Sequence, residues 1–168
     1  VRDAQSRTIV KTRLVSQRQQ IVRIDRDGRI RLEADVLERL CEVIAAERVD
    51  GIIVSDYAKG TVNAEVMALL KARAAAIGIP IVVDPKPSHF RLYRGVTGLT
   101  PNLKEAAEMA GRAIDGDDDL SQALHRIRRR FGTRFTLITR GSQGISAAET
   151  GRRIFHLPAF SREVFDVT

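Results

Sequence analysis

Tryptophan is absent from this chain, and aromatic residues make up only 5% of it. A surface that stacks unpaired bases needs aromatic faces, so a platform for single-stranded nucleic acid is excluded. A single cysteine, Cys41, rules out an internal disulfide, and its place in a helical apolar pattern makes it a small hydrophobe of the interior. No apolar run is long enough to cross a bilayer, and the opening residues lack the charged-then-apolar order of a signal peptide. The expectation is a cytoplasmic protein with no membrane partner. His89, His125 and His156 are too scattered for metal-ligand spacing, so no zinc site is expected. The G-x-x-x-x-G-K-[ST] loop is missing, as are H-R-D with D-F-G and the G-x-S-x-G elbow, and no G-x-G-x-x-G opens a helix after the first central strand. P-loop kinases, protein kinases and α/β-hydrolases are thereby set aside.

What is present is the composition of a globular domain: 168 residues, 43% hydrophobic and 29% charged. Lysine and arginine outnumber acids 28 to 21, a formal charge of +7. Such a balance suits nucleic acid, anionic membranes or anionic small molecules. The positive residues are scattered, apart from Arg126, Arg128, Arg129 and Arg130 late in a helical segment, where cations suit the helix dipole. No nucleic-acid partner is expected. The chain starts at Val1 and stops at Thr168 without terminal punctuation, and the expectation is a piece of something larger.

Periodicity orders the rest. Alternation over 8–25, pausing at Ser16-Gln17-Arg18-Gln19, predicts a β-hairpin followed by a turn at Asp27-Gly28, with Lys11, Arg13 and Arg23 making one face cationic. A helix over 34–47 presents Val36, Leu37, Leu40, Cys41 and Ile44; another over 62–77 presents Val66, Leu69, Leu70, Ala74 and Ile77 and stops at Gly78. Short apolar runs at 51–55, 81–83, 98–100 and 135–139 predict covered strands, with further helices over 102–110 and up to about 130. A last antiparallel hairpin spans 145–148 and 153–157. This alternation predicts an α/β three-layer sandwich: a mainly parallel sheet with helices on both faces, joined by right-handed crossovers. One partial domain is expected over 1–168, with a small hairpin at 8–25 and an α/β core at 30–168.

Ligands of such sheets gather at the carboxyl ends of the strands. Four ends bring chemistry there: Ser55, Asp56, Tyr57, Lys59 and Gly60; then Asp84, Pro85 and Lys86; then Thr100, Pro101, Asn102 and Glu105; then Thr139, Arg140, Gly141, Ser142 and Gly144. Carboxylates, lysines, hydroxyls and a glycine-rich turn on one rim suit a phosphorylated substrate with a metal-bound nucleotide. Each group also has a plainer reading. Asp56 and Asp84 fit caps of the turns that follow. Asn102 and Glu105 have capping-box spacing, although a helix start at a rim also gathers phosphate and metal-bound water. Gly141 to Gly144 fits an ordinary loop, although two glycines and a hydroxyl also let backbone amides approach a phosphate.

Taken together, Ser55-Asp56-Tyr57-Ala58-Lys59-Gly60, Asp84-Pro85-Lys86, Leu99-Thr100-Pro101-Asn102-Leu103-Lys104-Glu105 and Thr139-Arg140-Gly141-Ser142-Gln143-Gly144 resemble, in that order, the ribokinase-like sugar kinases. Lys11-Thr12-Arg13, Gln19-Gln20, Arg23-Ile24-Asp25, Tyr93-Arg94-Gly95 and Val164-Phe165-Asp166-Val167-Thr168 sharpen the resemblance toward heptose 7-phosphate kinases, which often form the first domain of a bifunctional ADP-heptose synthase in lipopolysaccharide precursor synthesis. The resemblance covers essentially the whole chain and about half of the family's length. It implies ATP and Mg2+ as cofactors. Asn102, Thr139, Gly141, Ser142 and Gly144 would lie toward the nucleotide, and Asn102 with Glu105 would hold the metal indirectly, through water or phosphate. Arg13, Asp56, Lys59, Asp84 and Lys86 would meet the sugar phosphate, the two lysines as charges for its existing phosphate. The hairpin would be the lid over the sugar and a contributor to a homodimer; exposed sheet edges are a second route to self-association.

One departure matters. The family follows D-V-T with G-A-G-D, whose amides form an anion hole and whose Asp takes the proton of the attacking hydroxyl. No catalytic residue is therefore assigned within 1–168, and these residues alone are expected to have little or no kinase activity. Two other readings stay open: another sugar kinase of the same superfamily, and a non-catalytic module that holds nucleotide or sugar phosphate.

Overall fold

The computed structural model describes residues 1, 3, 7–17, 19–26, 28 and 30–160. Arg18 of the first pause, Asp27 of the first turn and the closing 164–168 motif lie outside the described residues.

Two strands, β1 (Val10–Ser16) and β2 (Gln19–Arg26), form an antiparallel hairpin that, among the described residues, pairs with no other strand. Its register puts Val10, Thr12, Leu14, Val22 and Ile24 on one face and Lys11, Arg13, Arg23 and Asp25 on the other, with an irregularity between Leu14 and Val15. All described residues of both strands are exposed, the apolar ones included. Asp25 offsets two of the cations, lying 3.3 Å from Lys11 Nζ and 3.1 Å from Arg23 Nε. Arg13 sits directly across from Arg23.

The core follows the expected alternation: α1 (Ala34–Ala46), β3 (Ile52–Ser55), α2 (Ala64–Ile77), β4 (Ile81–Asp84), β5 (Gly98–Leu99), α3 (Leu103–Ala110), α4 (Asp117–Phe131), β6 (Phe135–Thr139), β7 (Ile145–Glu149) and β8 (Phe155–Leu157). The six strands stand in the order β3-β4-β5-β6-β7-β8; the first four are parallel and the last two antiparallel. One feature is not foreseen in the sequence reading. Pro87–Tyr93 forms a 3-10 segment, kinked at His89 where φ is −112° and ψ is 16°. The helices α2, α3 and α4 share one core against the sheet. Parallel strands in consecutive order, joined by crossovers of one hand, send every connection to the same side.

Register shows which face that is. Val54 pairs with Val83, Val83 with Leu99, Leu99 with Thr136 and Thr136 with Ala148, and all five side chains are buried. They pack with Met67, Ala74, Ala106, Met109, Leu124 and Ile127 of the helices. Ile53 points the other way and is 84% exposed.

The helices are built as their sequences direct, with one exception. Asn63 caps α2 by accepting from Val66 N at 2.9 Å, and the helix stops at Gly78. Its inner face, however, is turned so that Met67 is buried while Ile77 is 40% exposed. On α1, which packs on α2, Val36 is buried and Cys41 is half-buried. In α4, three aspartates start the helix and Arg128, Arg129 and Arg130 end it, both matched to the dipole.

Candidate active-site rim

Parallel strands put their carboxyl ends on one edge, so the four loops after β3, β4, β5 and β6 meet there, joined by the start of β7. Asp56 is the hub of the β3–β4 side. It is only 2% exposed, and three donors surround its carboxylate: Ala58 N at 2.7 Å, Tyr93 Oη at 2.6 Å and His89 Nδ1 at 2.7 Å. The bond to Ala58, whose φ is 54°, closes the turn expected of an Asp after a strand. Tyr93, fully buried, also accepts from Lys86 N at 2.9 Å. One phenol thus fastens the β3 loop to the β4 loop. Burial, then the bond to Asp56, pushes the Tyr93 hydroxyl well above the usual phenol range.

Lys86 carries the network toward β5. Its Nζ lies 2.7 Å from Glu105 Oε1, and that bond raises the ammonium above its ordinary 10.5. Glu105, 7% exposed, uses Oε2 to accept from Asn102 N at 3.1 Å, while Asn102 Oδ1 accepts from Glu105 N at 2.9 Å. The capping box is therefore complete, and its glutamate is also the partner of Lys86. Asp84, at the end of β4, has its proton affinity raised by partial burial, then by Glu105, against the lowering effect of Lys86. Two carboxylates share one ammonium, which leaves local negative charge beside the start of α3.

The β6 side is made of backbone. Thr139 N donates to Pro101 O at 3.0 Å and Thr139 bridges Asn102, which joins the glycine turn to α3. Gly141–Gln143 form one 3-10 turn, closed by Arg140 N to Gly144 O at 2.8 Å. A Cβ on Gly144, whose φ is 87°, would stand 2.0 Å from Leu157 O. Only glycine lets the turn and the end of β8 come this close. Between them lies a cleft of about 500 Å³ lined by Thr139, Gly141, Gly144, Ile145, Leu157, Pro158, Ala159 and Phe160. Ser142 is exposed on the turn.

Lys59 stands at the end of the β3 loop, and its carbonyl accepts from Ile30 N at 2.7 Å. A Cβ on the next residue, Gly60, would lie 1.7 Å from Ile30 O. This contact ties the rim to the segment that follows the hairpin. The structure thus joins Asp56, Lys86, Asn102, Glu105 and Thr139 in one bonded chain, with Asp84 beside it and Gly141, Ser142 and Gly144 on the adjoining turn. Arg13 stays on the separate hairpin, apart from this chain of bonds.

Two contributors carry no site role in the sequence reading, His89 and Tyr93, and Arg140 stands at the rim there without a partner. Arg140 reaches Ser146 Oγ at 3.1 Å, Asp117 Oδ1 at 3.3 Å and Gln143 Oε1 at 3.2 Å, bracing the glycine turn. Among the described residues no three His, Cys, Asp or Glu side chains gather as a metal cage. Mg2+ needs few protein ligands when phosphates and water complete its shell, and the unbalanced Asp84–Glu105 pair fits that requirement. No helix among the described residues is long and apolar enough to cross a membrane.

Comparison with known proteins bears on this rim. The family model described as "pfkB family carbohydrate kinase" matches residues 1–168. The chain is 41% identical over 170 residues to the bifunctional protein HldE of Geobacter sulfurreducens, covering 100% of this chain and 35% of that protein. It is 42% identical over 168 residues to HldE of Pelobacter propionicus, covering 99% and 34%. The chain therefore spans about a third of the length of the curated relatives it matches. Among solved structures, the tetrameric inhibited form of phosphofructokinase-2 from Escherichia coli aligns at TM-score 0.66 and 18% identity, over 88% of this chain and 49% of that one. Ribokinase of Arabidopsis thaliana, complexed with ribose and ATP, aligns at 0.60 and 15%, over 86% and 46%. These two likenesses give the fold, which is ribokinase-like. On the match across its full length, the chain belongs to the pfkB family of carbohydrate kinases.

Proposed function

We propose that this chain supplies the substrate-side and nucleotide-side loops of an ATP-dependent kinase that phosphorylates heptose 7-phosphate at its anomeric hydroxyl, serving ADP-heptose and lipopolysaccharide precursor synthesis. The observation that carries this reading is the bonded chain from Asp56 through Tyr93, Lys86 and Glu105 to Asn102, which links the two sides of one rim. Identity to the HldE proteins supports the heptose assignment over other sugars.

The roles follow from the geometry. The cleft beside Thr139, Gly141, Ser142 and Gly144 is lined with carbon at Ile145, Leu157 and Pro158 and suits a nucleotide base, with the glycine turn next to its phosphates. Asn102 and Glu105 would hold Mg2+ through water or phosphate, beside Asp84; the metal supplies charge neutralisation for the moving phosphoryl group. Lys59 and Lys86 would meet the phosphate already on the sugar. For Lys86 this means exchanging or sharing its bond to Glu105. Asp56 acts by holding its loop, since its acceptors already serve three donors. Arg13 would reach the sugar only if the hairpin folds over the rim as a lid. The lid's apolar face, Val10, Leu14, Val22 and Ile24, is a natural seat for a second copy in a homodimer, because a lone two-stranded hairpin is marginal in water.

The 168 residues contain no G-A-G-D. Phosphoryl transfer relies on charge stabilisation around the moving group, so these residues by themselves should bind without turning over. Thermal unfolding with and without Mg-ATP and heptose 7-phosphate tests the reading, since a ligand of the native state raises its apparent stability. A rise with the heptose phosphate, lost in Lys86→Ala, is expected. Equal rises with non-phosphorylated sugars would overturn the assignment to a sugar phosphate, and sustained kinase turnover by these 168 residues would overturn the expected inactivity.

A further inference from the structure

At the other end of α4, away from the glycine turn, a second concave site lies between the 3-10 segment and the helix. It measures about 290 Å³ and is lined by Phe90, Arg91, Arg94, Arg130 and Phe131. Its position follows from the chain: Gly95 N donates to Phe131 O at 3.0 Å just before β5 and β6 begin, so the cleft opens near the amino ends of those strands. The rim described above lies at their carboxyl ends.

The walls are fixed. Phe90 meets Phe131 edge-on with centroids 5.9 Å apart. Arg130 donates to Met109 O at 2.9 Å, and its guanidinium carbon stands 5.6 Å from the Phe131 ring centre. Lys71 Nζ donates to Leu92 O at 3.2 Å and to Arg94 O at 3.3 Å, which pins the backbone carrying Arg94 and adds a fourth positive charge beside the cleft. Among the described residues no carboxylate pairs with Arg91, Arg94, Arg130 or Lys71, although six other arginines of the chain do have acidic partners. The dipole of α4 accounts for Arg130, in its last turn, but not for Arg91 and Arg94, which come from a different element. Like charges brought together in a cleft without a counter-charge raise the local potential and gather anions, and guanidinium forks match phosphate oxygens in pairs.

We propose that this cleft is an anion-binding site for a small phosphorylated molecule, separate from the catalytic rim. Its volume falls just below the range of about 300–1,000 Å³ usual for small-molecule pockets. That favours a phosphate, pyrophosphate or sugar phosphate over a whole nucleotide. The site is also wired to the rim. Arg91 and Arg94 flank Tyr93, and His89 lies two residues before Arg91; Tyr93 and His89 are the side chains that hold Asp56, and Tyr93 also holds Lys86. An anion bridging the arginines tightens the same segment that sets the two substrate-side loops.

The test is calorimetric titration of the full 168-residue chain with two probes, inorganic pyrophosphate and glucose 6-phosphate, on wild type, Arg94→Gln, Arg91→Gln and Lys86→Ala. Each variant is first checked for wild-type melting. Binding of at least one probe is expected, weakened about tenfold or more by either arginine variant, as for loss of a charge-assisted bond, and retained in Lys86→Ala. Tighter binding of glucose 6-phosphate would identify a sugar phosphate as the occupant; tighter binding of pyrophosphate would identify a free inorganic anion. Absence of binding by both probes overturns the proposal, as does binding lost in Lys86→Ala and untouched by the arginine variants. The latter result would assign the anion to the rim and leave the kinase reading intact. Because Lys86 and the arginines are separate variants, failure of one site is distinguishable from failure of the other.

Discussion

The two halves of the rim are built by different means. On the β3–β4 side, side chains hold the loops: buried Asp56, Tyr93 and Glu105 and half-buried Lys86 are joined by bonds of 2.6 to 2.9 Å, one of them through the Lys86 amide. On the β6 side the backbone does this work, through a glycine turn seated against the end of β8. A side-chain network fixes charges in place and is expensive to leave partly satisfied. A backbone turn presents amides cheaply but tolerates no added atoms. The first half should therefore be sensitive to chemistry, and the second to volume.

The sharpest way to break this contrast is Tyr93→Phe. It removes no volume to speak of, yet strips a donor from buried Asp56 and an acceptor from Lys86 N. A loss of about 1–3 kcal/mol is expected, read by urea denaturation; a neutral result would mean that the network does not hold the loops. The same variant carries a pH signature. The Tyr93 hydroxyl titrates above its ordinary 10.0 in the folded chain, so the unfolded chain ionises first and wild-type stability falls as pH rises past 10.0. Lys86, raised above 10.5, falls away with the same sign. The phenylalanine variant should lose stability less steeply over that range.

Gly144→Ala is the volume test on the other half. Its methyl group meets Leu157 O at a strained φ, and about 1–2 kcal/mol is the expected cost. Hydrogen exchange should report that loss mainly in β7 and β8, with the β3–β4 amides unchanged. Uniform loss of protection would erase the distinction between the halves. The smallest effect is expected from Asp84→Asn. The carboxyl of Asp84 prefers its proton more strongly in the folded chain than in the unfolded one, so its charge opposes folding above its ordinary 3.8, and stability from this group rises as pH falls. The amide should raise the melting temperature slightly at neutral pH, and a drop would show that Lys86 outweighs burial there.

Much of this was legible in the residues. Alternation and helical periodicity located the hairpin, the helices and the strands, because those signals depend on local spacing. Asn102 and Glu105 announced their capping box through a three-residue interval. What escaped was everything set by distant partners. The Pro87–Tyr93 segment has no helical period to read, and its shape comes from Tyr93 reaching Asp56, 37 residues away in sequence. Lys86 appeared as a charge open to a phosphate, since nothing local shows that Glu105 turns toward it. Ile77 shows the limit of periodicity itself, having the right spacing on α2 and still standing 40% exposed.

Strand order has a consequence for how the chain acquires its shape. Every strand from β4 to β8 lies beside the one synthesised just before it. A growing chain can add each strand to an edge that already exists, and no strand waits for a partner encoded much later. Pairing between neighbours in sequence keeps contact order lower than pairing between distant strands would, although parallel crossovers still make for slow closure. The sheet can therefore be assembled in the order in which it leaves the ribosome, with each new crossover covering the strands already laid down.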